Sequence, residues 1–275
     1  LIPFPTKGGH EIMEDIQSST DQRGIAIQKV GINEVHLPLL IKMKDGGFQQ
    51  VLACIRFTVS LPEHYKGTHM SRFLEILYPW SRKPVAEHEM EVILEEAMSH
   101  LAAPSADLAI RFKYFIDREA PVTRQYSCLD LDCCFSGTKK RGDPMAFTLR
   151  VEVPVTSLCP CSKAIAAYGA HNQRSLIRAR VRFAVDQDCI YIEDLAELLE
   201  AQGSCPVYPL LKREDEKYVT ERAYENPKFV EDILRDSVLA LRRLPGLQWF
   251  ALECENFESI HNHNAFASHE EFVEL

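Results

Sequence analysis

Ala146-Phe147-Thr148-Leu149-Arg150-Val151-Glu152-Val153-Pro154-Val155 places an apolar side chain at every second position, from Phe147 to Val155. Successive side chains of an extended chain point to opposite faces, so the stretch reads as a strand with one buried and one wetted face. Such alternation is typical of antiparallel sheets. Val51 to Leu61 and Leu176 to Val185 repeat the pattern, and Ala109 to Phe115 and Gln248 to Cys254 add two shorter candidates. Their β-branched and aromatic residues suit a pleated surface.

Between the strands the period lengthens. Pro84 to Leu101 sets Val85, Met90, Ile93, Leu94 and Ala97 on one side of a helix, and Ile192 to Ala201 does the same with Leu195, Leu198 and Leu199. A third helix runs from Pro227 through Phe229, Val230, Ile233, Leu234, Val238 and Leu241, with the proline suited to a first turn. The order strands, helix, strands occurs twice, on either side of Ser136 to Pro144. That segment is rich in Gly, Lys and Arg and reads as a turn or linker. The expected fold class is α+β, two modules in tandem: an N-terminal extension at 1–29, partly disordered, a first module at 30–143 and a second at 144–275. The first dozen residues, with Met13 just downstream of Leu1, read as a processed end. Ala267 to Leu275, with Glu270, Glu271 and Glu274, reads as poor strand material.

The 275 residues carry a net charge of −9, which argues against a surface built to hold a nucleic-acid backbone but leaves room for a local basic pocket around one nucleotide. No apolar run approaches the ~20 residues of a membrane span, and Leu1 to His10 lacks a signal-peptide core. The expectation is a cytoplasmic protein without nucleic-acid or membrane partners. Nine scattered cysteines, an odd number, fit free thiols better than a disulfide framework. Cys128, Cys133 and Cys134 are given no role beyond buried packing.

Three segments carry chemistry. Ser157-Leu158-Cys159-Pro160-Cys161-Ser162-Lys163, followed by Gly169-Ala170-His171-Asn172-Gln173-Arg174-Ser175, sets two thiols beside a lysine and a histidine. A nearby cation raises the thiolate fraction that a metal ligand or a nucleophile needs. An isolated pair of this kind reads equally well as packing. Glu253-Cys254-Glu255-Asn256-Phe257-Glu258-Ser259-Ile260-His261-Asn262-His263-Asn264 ends a strand, and in an extended chain its two histidines share a side. Lys212 to Glu221 is a charged stretch that by composition alone reads as a solvated loop. Glu231 and Asp232 fit the preference for acids in a first helical turn. Together these residues offer Cys, His and Glu donors, a set suited to zinc, iron or manganese. Their dispersal favours a catalytic site with an open position over a closed structural one.

Five segments together resemble the type IB GTP cyclohydrolase I family: Lys66-Gly67-Thr68-His69-Met70-Ser71-Arg72-Phe73, Val155 to Lys163, Tyr168 to Ser175, Asp215 to Glu221 and Glu255 to His263. The resemblance spans about Ile16 to Phe266 and keeps the motifs in one order. It implies a tunnelling fold of two ββααββ-like modules, the second holding most of the active site. Antiparallel sheets of partner subunits would close a barrel within a homotetramer. It implies a divalent metal ion (Mn, Zn or Fe(II)) on Cys159, His171, Glu216 and His261, an essential Cys161, and Glu231 as the anchor of guanine. The substrate would be GTP, and the products formate and 7,8-dihydroneopterin triphosphate. Lys66, His69, Arg72, Lys163 and Arg174 are candidates for the triphosphate, and His263 for a hydrogen-bond partner or proton shuttle. The competing readings are the NADPH-dependent nitrile reductase of queuosine synthesis, which shares the fold and a reactive cysteine, and a non-catalytic module stabilised by a closed metal site.

Overall fold

A computed structural model describes residues 17, 19–184 and 189–273, so the reading of the first dozen residues lies outside the described ones. The strands are β1 (Ile27–Lys42), β2 (Phe48–Leu61), β3 (Pro84–Val85), β4 (Ser105–Glu119), β5 (Tyr126–Lys140), β6 (Ala146–Leu158), β7 (Asn172–Phe183), β8 (Cys205–Pro206), β9 (Leu247–Asn256) and β10 (Ala265–Phe272). The helices are α1 (Met70–Leu77), α2 (Glu87–His100), α3 (Pro160–Ile165), α4 (Ile192–Glu200), α5 (Arg213–Glu225) and α6 (Val230–Leu241). All ten strands join one sheet in the order β10-β9-β7-β6-β5-β4-β2-β1-β3, with β8 pairing to β6. The long pairings are antiparallel. Two strands, helices and two strands therefore occur twice along the chain.

The alternation seen in β6 works as expected. Phe147, Leu149, Val151, Val153 and Val155 are buried, as are Ala106, Leu108, Ile110, Phe112 and Tyr114 on β4. This inner face meets the apolar stripes of α2 (Met90, Ile93, Leu94, Ala97), α4 (Leu195, Ala196, Leu199) and α6 (Ile233, Val238, Leu241) in one continuous core. The other face carries charged side chains: Arg178 bonds Glu255 at 2.9 Å and approaches Glu152 at 3.4 Å. A smaller cluster of Leu158, Cys205 and Ala223 lies beside the end of β6.

Three expectations are corrected. Ser136 to Pro144 is a turn only from Arg141 on, with Gly142 at φ 88°, since β5 runs to Lys140 and pairs Ser136 with Ala109 and Thr138 with Asp107. Gly137 is there for packing rather than turning: a Cβ on it would sit 3.0 Å from the Met145 sulfur and 3.1 Å from Leu94. The charged stretch from Lys212 is no loop but the first turns of α5. Its Asp215 is fully buried and accepts from the backbone N–H groups of Lys212, Val122 and Thr123, each at 2.9 Å, and from the Thr123 hydroxyl at 2.6 Å. Of the acidic C-terminal stretch, Ala267 to Phe272 belongs to β10, Glu274 and Leu275 lying outside the described residues, and its acids are matched by neighbours. Glu271 takes two bonds of 2.7 Å from Arg242, and Glu270 accepts from the Trp249 indole at 3.0 Å. Among the cysteines given only a packing role, Cys133 and Cys134 are buried and Cys128 is exposed.

At one end of the sheet the buried face changes character. Continuing inward-facing positions two residues at a time leads from Val155 to Ser157, from Ile177 to Ser175 and Gln173, and from Cys254 to Asn256, all four polar and buried. Gly203 lets β8 close over this end; a Cβ there would lie 2.5 Å from Val155. Its neighbour Ser204 donates to the Thr156 carbonyl at 2.8 Å, and its hydroxyl receives the Leu158 N–H at 3.1 Å.

Candidate active site

The polar end of β6 and β7 is where the two chemistry-bearing motifs meet. Cys159 caps α3, its sulfur 3.4 Å from the Ser162 N–H, and its own N–H donates to the His171 carbonyl at 3.1 Å. The Ser162 hydroxyl donates to the Cys159 carbonyl and accepts from the His171 N–H, both at 3.2 Å. Cys159 and His171 are thus held side by side by backbone geometry. Cys161 lies in the first turn of α3 and is exposed.

From the hairpin between β9 and β10, Glu258 brings a carboxylate to 4.0 Å from His171 Nδ1, with both side chains largely covered. Farther along the same hairpin, the His261 and His263 rings stack 5.2 Å apart at 14°, in a bend rather than the extended segment that their shared side was expected to need. Glu216 stands exposed one residue after Asp215 in α5. Glu231 is exposed in the first turn of α6, where its neighbour Asp232 accepts the capping N–H of Phe229 at 3.1 Å.

The candidate phosphate cations divide. Lys163 donates to the Tyr224 carbonyl and lies 4.3 Å over the Tyr224 ring, close to Cys161 in sequence. Arg174 is exposed on β7. Arg72 donates to the His100 carbonyl at 2.9 Å, tying α1 to the end of α2. Lys66 and His69 precede α1 in the first half of the chain.

Among the described residues, Glu34, His36 and Cys54 form a Glu/His/Cys cluster able to coordinate a metal ion, their ligand atoms within 4.8 Å of one another. It sits on paired strands, His36 opposite Cys54, at a bulge where Glu34 adopts φ 56°. Arg111 already reaches this group, 2.6 Å from Glu34 and 3.2 Å from the Cys54 sulfur, so a cation must displace a guanidinium. Cys159, His171, Glu216 and His261 do not form such a close grouping within the single chain. Their donor types nonetheless fit a borderline divalent ion. His171 also meets the structural requirement, because Nδ1 is engaged by Gln173 Oε1 at 2.9 Å and Nε2 is left for a ligand bond.

Gln173 and Glu258 both lie inside the motifs but carry no expectation from sequence. The signal for Gln173 is a polar residue in the inward phase of a strand that is apolar elsewhere, and Glu258, in the hairpin after β9, has no such phase. Burial also sorts the cysteines: it pushes the thiols of Cys254 and Cys205 up to about 12 and about 11, which disfavours a nucleophilic role near neutrality.

Thiol, imidazole and carboxylate at the polar end of a helix-backed antiparallel sheet define the class, a metal-dependent enzyme of α+β fold. The family model for Type I GTP cyclohydrolase FolE2 matches residues 13–267, and the chain belongs to that family. It is 52% identical over 259 residues to a GTP cyclohydrolase FolE2 of Geobacter sulfurreducens, covering 94% of this chain and 98% of that protein. A second GTP cyclohydrolase FolE2, of Citrifermentans bemidjiense, is 48% identical over 93% of this chain and 94% of its own length. The uricase of Arthrobacter globiformis shares the fold alone, with a TM-score of 0.54 at 10% identity, over 90% of this chain and 94% of that one. No helix among the described residues is long and apolar enough to cross a membrane.

Proposed function

We propose that the protein is a GTP cyclohydrolase I that hydrolyses the imidazole ring of GTP at C8 to give formate and 7,8-dihydroneopterin triphosphate. The observation that carries the reading is the bridge between Cys159 and His171, which seats a thiol beside an imidazole whose Nε2 is available. Cys159, His171, Glu216 and His261 would hold a divalent metal ion (Mn, Zn or Fe(II)), whose chemistry there would be to lower the pKa of a water molecule toward neutrality.

The chain's own residues orient the substrate and move protons. Glu231 accepts from guanine N1–H and the exocyclic amine in a forked, charge-assisted pair. Lys163 and Arg174, with Lys66, His69 and Arg72, face the triphosphate. Cys161 lies at the reacting carbon, Cys159 beside it, and His263 holds or passes the proton that N9 takes up as the C8–N9 bond breaks. A second hydrolysis frees formate, and opening, rearrangement and closure of the ribose complete the product.

Residues 30–143 and 144–275 act as tandem modules, and partner chains in a homotetramer close the sheets into a barrel. The protein works in the cytoplasm, with neither nucleic acid nor membrane as partner. The test strips the protein with a chelator, restores manganese, zinc or ferrous ion, and follows pterin fluorescence from GTP after oxidation. Metal-restored fluorescence is expected; a folded, metal-loaded protein that yields no pterin contradicts the reading.

A further inference from the structure

We infer that Gln173 is a positioning residue that fixes His171 in its Nδ1–H tautomer and so presents the Nε2 lone pair to a metal; this rests on His171 being a ligand. Donors and acceptors are matched one to one through the buried polar end of the sheet. The Ser157 hydroxyl has one proton, and it goes to the Lys228 carbonyl at 3.1 Å. Its oxygen can then only accept, from Asn256 Nδ2 at 3.0 Å and Gln173 Nε2 at 3.3 Å.

The amide nitrogen of Gln173 has a second acceptor in the Glu258 carboxylate at 3.5 Å. Two acceptors therefore claim the NH2 end of Gln173, and its oxygen must face His171 Nδ1 at 2.9 Å. An amide oxygen has no proton to give, so the ring nitrogen must carry one. A neutral imidazole has a single N–H, which leaves Nε2 bare. The opposite tautomer would press two lone pairs together at that distance. Asn256 is oriented in the same way, its oxygen accepting from the Ser175 hydroxyl at 2.6 Å. Ser157, Gln173, Ser175 and Asn256 are 0%, 8%, 1% and 3% exposed, so little water competes for these bonds.

The test reads the tautomer directly, in metal-free protein labelled with nitrogen-15 at histidine, by long-range proton–nitrogen NMR. His171 is assigned by the signal lost in His171→Ala. Wild-type protein is expected to carry the proton on Nδ1, and Gln173→Leu to lose that preference and bind zinc roughly 10–100-fold more weakly. Gln173→Glu keeps an oxygen facing His171 and is expected to retain the Nδ1–H tautomer; adding Glu258→Gln, which exchanges donor and acceptor between the two positions and separates the two carboxylates' charges, holds zinc within a few fold of wild type. Thermal melting checks folding; if Gln173→Leu misfolds, the His171 tautomer in wild type and in the exchanged pair decides. His171 protonated on Nε2 in wild type, or a folded Gln173→Leu protein that holds zinc normally while His171→Ala loses it, overturns the inference alone. Normal zinc binding by His171→Ala overturns the ligand assignment and the inference with it.

Discussion

Cys159 and Cys161 lie two residues apart, and the proposed reaction gives them different tasks. Cys159 is tied down on both sides, its sulfur to the Ser162 N–H and its backbone to His171, as suits a ligand. Cys161 stands exposed on the first turn of the same short helix, as suits a group that meets substrate. Cys161→Ala is expected to abolish pterin formation while metal per chain after dialysis stays at the wild-type level. Cys159→Ala should lose metal in that dialysis; wild-type turnover in Cys161→Ala would remove that cysteine from the chemistry. The thiols and imidazoles of the site were legible because soft and titratable side chains stand out in a sequence. Gln173 was not, because a neutral amide gains its role only from the three groups around it.

The element most misread by composition is α5. Lys212 to Lys217 is charged at every position, and charge of that density resembles a solvated loop. The deciding residue is Asp215, which points inward and stitches the helix start to the turn at Val122 and Thr123. Burial opposes its ionisation, yet the bonds from Thr123, Lys212 and Val122 outweigh that and hold the carboxyl well below the usual carboxylate range. A lowered folded-state value means stabilisation that is fully present above the unfolded value of about 4 and fades as pH falls below it. Asp215→Asn should therefore melt below wild type at neutral pH, and the gap should narrow steadily on acidification from about pH 4. A gap that stays constant down to the acid limit would mean the carboxylate's charge is irrelevant. The edge strand β10 makes the complementary point: acids that weigh against a strand in isolation are favourable when Arg242 and Trp249 stand opposite them.

Across the whole molecule the two halves of the chain share one sheet and one core, and polar bonds bind them further. Tyr114 of β4 donates to Glu193 of α4 at 2.6 Å, and Arg118 reaches Glu200 at 2.5 Å. The α+β class and its repeated order were legible because periods of 2 and 3.6 survive in any single stretch. Strand order was not, since alternation says which face is buried but not which strand lies alongside. β1 also escaped notice, because its first ten residues are largely exposed and a bulge interrupts its pairing. A sheet that ends in β10 on one side and in β1 with the two-residue β3 on the other has edges that a partner can extend. Light scattering should give a mass of four chains, and a monomer fully active at assay concentration would contradict barrel closure by partner subunits.

The proposed reaction removes one carbon atom from the purine, and GTP labelled with carbon-13 at C8 follows it. In protein loaded with metal and shown to be folded, the label is predicted to leave the purine and appear as formate, in step with the rise of the pterin. Label that stays in an intact purine ring, or formate that appears without a pterin, would contradict the account.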